Sequence, residues 1–257
     1  MTETHPSAEG QTLTQWLAQG PYTLAMSSGF FGFYAHTGFL KAIEERGLLP
    51  ERACGSSAGA LVAGSWSAGL DADEITRILC DLKRADFWDP RLGPGLLRGD
   101  AFRALLEAIL PVATFDACDH SLAMSAVDLK ARTVQVLDHG DLAAAIHASC
   151  AVPGMFHPVR IQGRLLVDGG VLDRPGLAGA PKGARILAHH LASKSPWRLR
   201  APQAPSGPHL VALVLDDLPR VGPFHLEHGA AALDRAYRAT QRALDMPITS
   251  GVIRLSA

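Results

Sequence analysis

The chain has 257 residues, enough for one large domain. Hydrophobic residues make up 47% and charged residues 19%, which excludes an unfolded, charge-rich chain. With 24 Lys+Arg against 25 Asp+Glu the formal net charge is −1, so the overall electrostatic footprint of a nucleic-acid binder is missing.

The N-terminal stretch MTETHPSAEG carries two Glu, no Lys or Arg, and leads into no apolar core, unlike a secretory signal. Residues 1–20 are expected to be flexible or a short helix, and 21–257 a single domain. Cys54, Cys80, Cys118 and Cys150 form no C-x-x-C, and no His stands at metal-finger spacing from a Cys pair. The expectation is reduced thiols, a cytoplasmic protein, no metal and no cofactor. Between Glu9 and Lys41 there is no charged side chain, but Gly20, Pro21, Gly29, Gly32 and Gly38 make the stretch a poor membrane span. It reads as a buried strand, a tight loop and a buried helix.

In chain order, Tyr22–Met26 predicts a strand, and a helix follows to about Gly47, whose glycine suits a C-cap. A second strand ends at Cys54-Gly55, and a small-residue helix runs from Ser57 to about Gly69. Asp71 and Glu74 form a capping box that opens a helix to about Lys83. Phe87–Leu97 reads as a loop and Asp100–Leu110 as a helix. Strands follow at Leu122–Val127 and Thr133–Leu137, then a short helix capped by Asp141 and ending near Cys150. Val159–Ile161 and Leu165–Val167 form a hairpin about Gly163. Ile186–Leu191 and Leu210–Leu215 are two more strands, separated by a Pro/Ser-rich loop over 193–208. The last helix carries Leu226, Ala230, Leu233, Tyr237 and Leu244. Strands alternating with helices predict an α/β fold, a three-layer α/β/α sandwich with a mostly parallel central sheet.

Three motifs carry chemistry. Gly55-Ser56-Ser57-Ala58-Gly59 matches G-x-S-x-G between a strand and a helix. A sharp turn there exposes the Ser57 hydroxyl, and small residues on either side let the backbone approach closely. Asp168, followed by Gly169 and Gly170, ends an apolar strand, where a carboxylate can face a cleft. Taken singly, each motif is also compatible with a glycine-rich turn that has no chemistry. Ser27-Ser28-Gly29-Phe30-Phe31-Gly32, between the first strand and its helix, could present backbone amides to an oxyanion. Nucleotide binding is poorly supported, because neither G-x-x-x-x-G-K-[ST] nor G-x-G-x-x-G occurs.

Together these pieces resemble the patatin-like phospholipase family, whose pattern is a glycine-rich oxyanion loop, then G-x-S-x-G, then D-G-[GA]. Ala148–Pro158 and Thr114-Phe115-Asp116 are similar to further blocks of that family, and the likeness covers about residues 22–177. The loop departs from G-G-G-x-[RK]-G: Ser27 and Ser28 replace glycines and Phe31 replaces the basic residue. In this it is more similar to the adipose triglyceride lipase branch. Asp173-Arg-Pro-Gly also departs from the family's more common Asp-Asn.

The resemblance implies a Ser57–Asp168 dyad and an acyl-enzyme intermediate, with oxyanion donors from the loop of Ser28, Gly29, Phe30 and Gly32. It implies hydrolysis of lipid carboxylic esters, whether of phospholipid, lysophospholipid or neutral acylglycerol. Gly55, Gly59, Gly169 and Gly170 are the motif glycines, and Phe31, His36 and Ala58 are candidate pocket residues. Asp168 must have a raised pKa to act as base. Among the eleven histidines, His147, His157, His189, His190, His225 and His228 read as surface or loop residues. Two alternatives stand beside this: an α/β-hydrolase triad of Ser57, Asp216 or Asp217, and His225 or His228, and a non-catalytic binding module. The partner is a lipid or acyl ester. Peripheral membrane contact is expected through Phe87-Trp88 with Leu96-Leu97, or through Lys194, Trp197, Arg198 and Arg200.

Overall fold

The computed structural model describes residues 8–192 and 203–257. Lys194, Trp197, Arg198 and Arg200 therefore lie outside the described residues. A helix α1 (Leu13–Leu17) opens the chain, and Thr12 and Gln15 close a capping box at its start. Leu13, Trp16 and Leu17 are buried. The Arg185 guanidinium lies over the Trp16 ring, 4.3 Å from its centroid, and donates to the carbonyls of Trp16 and Gly20. The first helix is thus tied to the body of the protein.

The central sheet has nine strands: β1 (Thr23–Met26), β2 (Arg52–Ser56), β4 (Ser121–Asp128), β5 (Thr133–Leu137), β7 (Val159–Ile161), β8 (Arg164–Asp168), β9 (Ile186–Leu191), β10 (Leu210–Asp216) and β11 (Val252–Ser256). Their order is β11-β10-β9-β1-β2-β4-β8-β7, with β5 paired to β4. From β11 to β4 all neighbours run parallel, whereas β5, β8 and β7 pair antiparallel. Two short strands, β3 (Gly95–Leu97) and β6 (Gly154–Phe156), pair separately. β3 falls inside the stretch expected to be loop, and neither β6 nor β11 is foreseen by hydrophobic alternation.

The helices are α2 (Phe33–Glu45), α3 (Ala58–Ser67), α4 (Ala72–Asp81), α5 (Asp100–Ile109), α6 (Leu142–Ser149) and α7 (Gly229–Leu244). The sheet alternation sets what they cover. Leu24 and Met26 of β1, Leu122 and Met124 of β4, and Val211, Leu213 and Leu215 of β10 point to one face, where side chains of all seven α-helices join the main core. The other face presents smaller side chains, Ala25, Cys54, Ala123, Ala188, Ala212 and Val214. Among the described residues it is covered by irregular chain, with Leu177, Ala180 and Ala204 packed against it. α3 is buried on every side, as a small-residue helix with no polar face must be.

α7 buries Ala232, Leu233, Ala236, Ala239, Thr240 and Ala243 at three- and four-residue intervals. It approaches α2 at Gly38, where an added Cβ would stand 2.1 Å from the Leu233 carbonyl oxygen and 3.0 Å from the Tyr237 nitrogen. Backbone cannot yield there as a side chain could. Gly38→Ala is therefore expected to destabilise the fold by about 1–3 kcal/mol. A urea midpoint equal to that of the parent chain would contradict this.

Candidate active site

β1 and β2 end side by side, and both loops that follow them belong to the site. β9 lies on the far side of β1, so strand order reverses there, which is where open α/β sheets bind ligands. The sheet register carries the third element to the same level. Ser56 pairs with Ser125 on β4, and the next β4 residue, Ala126, pairs with Asp168 on β8.

Ser57 leaves β2 with φ 52 and ψ −120. Three hydrogen bonds hold this unfavourable backbone. Its N–H donates to Ser149 Oγ at 2.9 Å, and that hydroxyl donates onward to the Ser125 carbonyl at 2.7 Å. Its carbonyl accepts from the Leu61 amide at 3.0 Å and from the Cys150 thiol at 3.2 Å. The Ser57 hydroxyl donates to Asp168 Oδ2 at 2.5 Å across 111 residues of sequence. Asp168 Oδ1 accepts from the Gly170 amide at 2.7 Å. The carboxyl group is almost wholly buried. Desolvation raises its pKa from 3.8 to about 6, opposed by the bonds from Ser57 and Gly170.

Glycines let the backbones meet. A Cβ on Gly59 would lie 2.1 Å from the Met26 carbonyl oxygen, and one on Gly55 would lie 2.5 Å from the Gly59 carbonyl carbon. A Cβ on Gly169 would strike the Ser125 carbonyl oxygen at 2.2 Å. One on Gly170 would meet Ser28 at 2.5 Å and Asp168 Oδ1 at 2.9 Å. The elbow thus packs on the β1 backbone, and the aspartate turn on the β4 backbone and the Ser28 side chain.

The loop after β1 differs from expectation in its donors. The Ser28 amide is directed to the Arg174 carbonyl at 2.7 Å, and the Gly32 amide to the Gly29 carbonyl at 2.8 Å. Neither is free for an oxyanion. Gly32 instead closes the turn, with no room for a Cβ against Leu191. The amides of Gly29 and Phe30 have no acceptor among the described residues. Ala58 heads α3, so its amide has no intrahelical acceptor. Phe31 holds φ 53 and packs on Phe30, Phe33 and Phe87, half-buried at the loop's crest.

His36 is fully buried and does not line an open pocket. Its Nε2 bonds the Ser27 carbonyl at 2.7 Å and its Nδ1 faces His189 Nδ1 at 2.8 Å. Only one proton pattern satisfies these partners: His36 Nε2–H donates to the carbonyl, and its bare Nδ1 accepts from His189 Nδ1–H. Burial lowers His36 to about 4 and His189 well below 6.5, so both are neutral at neutral pH. They fasten the start of the loop, with help from Ser27, whose Oγ accepts from the Leu191 amide. His147 and His190 are buried as well, contrary to the surface reading, because each sits on an element with both flanks packed. Among the described residues no histidine reaches Ser57. His225 and His228 are exposed beside Glu227, Asp217 accepts from Ser256, and Asp216 pairs with Arg254, so the triad alternative is not assembled. No group of three or more His, Cys, Asp or Glu suited to a metal ion occurs among the described residues.

A family model for patatin-like phospholipase matches residues 24–180. The chain belongs to the patatin-like phospholipase family. An uncharacterized NTE family protein of Mycobacterium tuberculosis is 35% identical over 154 residues, which span 58% of this chain and 42% of the relative. The uncharacterized protein YqhO of Bacillus subtilis is 27% identical over 173 residues, 54% of this chain and 60% of that one. The chain therefore spans less than two thirds of the length of these relatives, 42% of one and 60% of the other. Its fold is shared with VipD from Legionella pneumophila, at TM-score 0.64 and 14% identity over 88% of this chain and 67% of VipD.

Ser149 is the site residue that sequence reading passed over. It stood inside the 148–158 block, but nothing in a pattern of small residues says that its hydroxyl faces the elbow. Ser149→Ala leaves the buried Ser57 amide without an acceptor, at a cost of about 1–3 kcal/mol. The expected result is a lower melting temperature together with slower modification of Ser57 by a fluorophosphonate. Parent-like values of both would remove Ser149 from the site.

Proposed function

We propose that this patatin-like domain hydrolyses carboxylic esters of lipids through Ser57 and Asp168. The observation that carries the reading is the 2.5 Å bond from the Ser57 hydroxyl to a buried carboxylate, at a strand–helix turn with unengaged amides nearby. Membership of the family supports lipid hydrolysis in the broad sense.

In this mechanism Ser57 Oγ attacks the acyl carbonyl carbon as its proton passes to Asp168 Oδ2. The carbonyl π pair moves to oxygen, and the Gly29, Phe30 and Ala58 amides stabilise that oxyanion. Collapse of the tetrahedral species expels the alkoxide, which takes the proton from Asp168. Water repeats the sequence on the acyl-enzyme and frees the acid. A carboxyl titrating near 6 is a far better proton acceptor than an ordinary aspartate, and its burial supplies that property.

Ser57→Ala is expected to abolish both fluorophosphonate labelling and ester hydrolysis, and Asp168→Asn to slow hydrolysis by roughly 10²–10⁴-fold. Labelling that persists in Ser57→Ala, or full activity in Asp168→Asn, would contradict the dyad and favour a binding module. The pH profile follows from the aspartate. Only its ionised form accepts a proton, so kcat/KM should be level above about 6 and fall about tenfold per pH unit below it. Circular dichroism over the same range separates this limb from acid unfolding. A profile flat down to the ordinary carboxylate range would contradict the raised pKa of Asp168.

A further inference from the structure

Two aromatic side chains are exposed on the described surface, Phe30 at 59% and Phe224 at 61%. They belong to one cluster. Phe30 meets Phe31 edge-on at 5.0 Å, Phe31 meets Phe87 at 5.9 Å, and the next residue, Trp88, meets Phe224 at 5.5 Å. The Phe30 ring also lies against Gly222, two residues before Phe224. Three loops, those around residues 30, 87 and 224, are thereby joined beside the dyad. Val171 and Leu172, three and four residues after Asp168, are also exposed.

A cation sits within this apolar cluster. The Arg84 guanidinium lies 5.1 Å from the Phe224 ring centre and 5.7 Å from that of Trp88. Lys83, Arg84, Arg91 and Arg220 of these loops have no ion-pair partner among the described residues. Asp86 and Asp89 nearby accept from backbone amides instead. The combination of rings at loop tips and an unpaired guanidinium between them suits the boundary between lipid headgroups and acyl chains.

We propose that the Phe30–Trp88–Phe224 face, with Arg84, docks on a phospholipid surface and brings the mouth of the site to the membrane. A second copy of this chain fits the face less well, because a two-fold contact would bring the unpaired cations together. The surface overlaps the one expected from sequence at Trp88, and Leu96 is exposed at 52%, but Phe87 and Leu97 are buried at 5% and 0%, whereas Phe30 and Phe224 are offered. The proposal rests on the ester-hydrolase reading only for why a lipid is needed, and docking is measured apart from turnover.

The test is sedimentation of the full chain carrying Ser57→Ala with phosphatidylcholine vesicles, with and without phosphatidylglycerol. The parent is expected to bind both, and more tightly the anionic ones. Phe224→Ser should weaken binding to both by roughly tenfold or more, and Phe224→Trp should restore it. Arg84→Glu should weaken binding chiefly to the phosphatidylglycerol vesicles. Both side chains are exposed, and melting curves verify that the variants fold. Failure of the parent to bind either vesicle, or variants that bind as the parent does, would overturn the proposal. So would a concentration-dependent dimer that Phe224→Ser abolishes. Hydrolysis of a soluble short-chain ester by the chain with Ser57 intact is scored separately. Its absence would defeat the hydrolase reading and leave the vesicle result standing.

Discussion

The backbone of Ser57 is the constraint around which the rest of the site is arranged. A residue with a side chain at φ 52 and ψ −120 costs on the order of 1–3 kcal/mol and persists only where its surroundings leave no alternative. Those surroundings are specific. β2 delivers the residue, α3 begins immediately after it, and Ser149 and Cys150 at the end of α6 grip its amide and carbonyl from outside. The reward for that geometry is a hydroxyl turned away from the strand and toward Asp168. Glycines at 55, 59, 169 and 170 are the steric condition for it, since a single methyl group at any of them would collide with backbone or with the neighbouring motif.

Electrostatics follow from the same packing. The elbow and its partners exclude water from Asp168, which shifts the carboxyl toward neutrality. Two hydrogen bonds to its oxygens limit the shift and keep the ionised form accessible near neutral pH. Behind the loop, a second buried polar set takes the opposite course. His36 and His189 stay uncharged, and their value is directional: one ring proton to the Ser27 carbonyl and one between the rings. A charge there would leave two ring N–H groups facing each other. The site thus separates a basic oxygen pair in front from a neutral clamp behind.

Local demands of the backbone were the legible part. G-x-S-x-G, Asp-Gly-Gly and the Asp71–Glu74 capping box each state their geometry within a few residues, and each is found where its pattern puts it. Alternation and helical spacing placed most strands and helices, because one buried face dictates the pattern. What resisted reading depends on distant chain. The Ser28 amide looked available as an oxyanion donor, and only the return of the segment at Arg174 commits it. His36 reads from sequence as a pocket residue, and only the placement of β9, which sets His189 against it, shows it buried. β3 and β6 are each three residues long and pair with each other, so neither shows a period of its own.

The substitution that set this loop apart from the family pattern, Phe31 in place of a basic residue, now has a structural sense. Phe31 occupies a left-handed backbone position that favours glycine, so something must compensate for the strain. Its ring does so by packing between Phe30, Phe33 and Phe87. A basic side chain would have projected into solvent and left that cluster open. With phenylalanine, the crest of the loop is bound to the 84–88 segment, and the Phe30 ring beside it is turned outward next to the unengaged Phe30 amide. One residue therefore links the shape of the oxyanion loop to the apolar character of the surface around it. A change at Phe31 cannot alter one without disturbing the other.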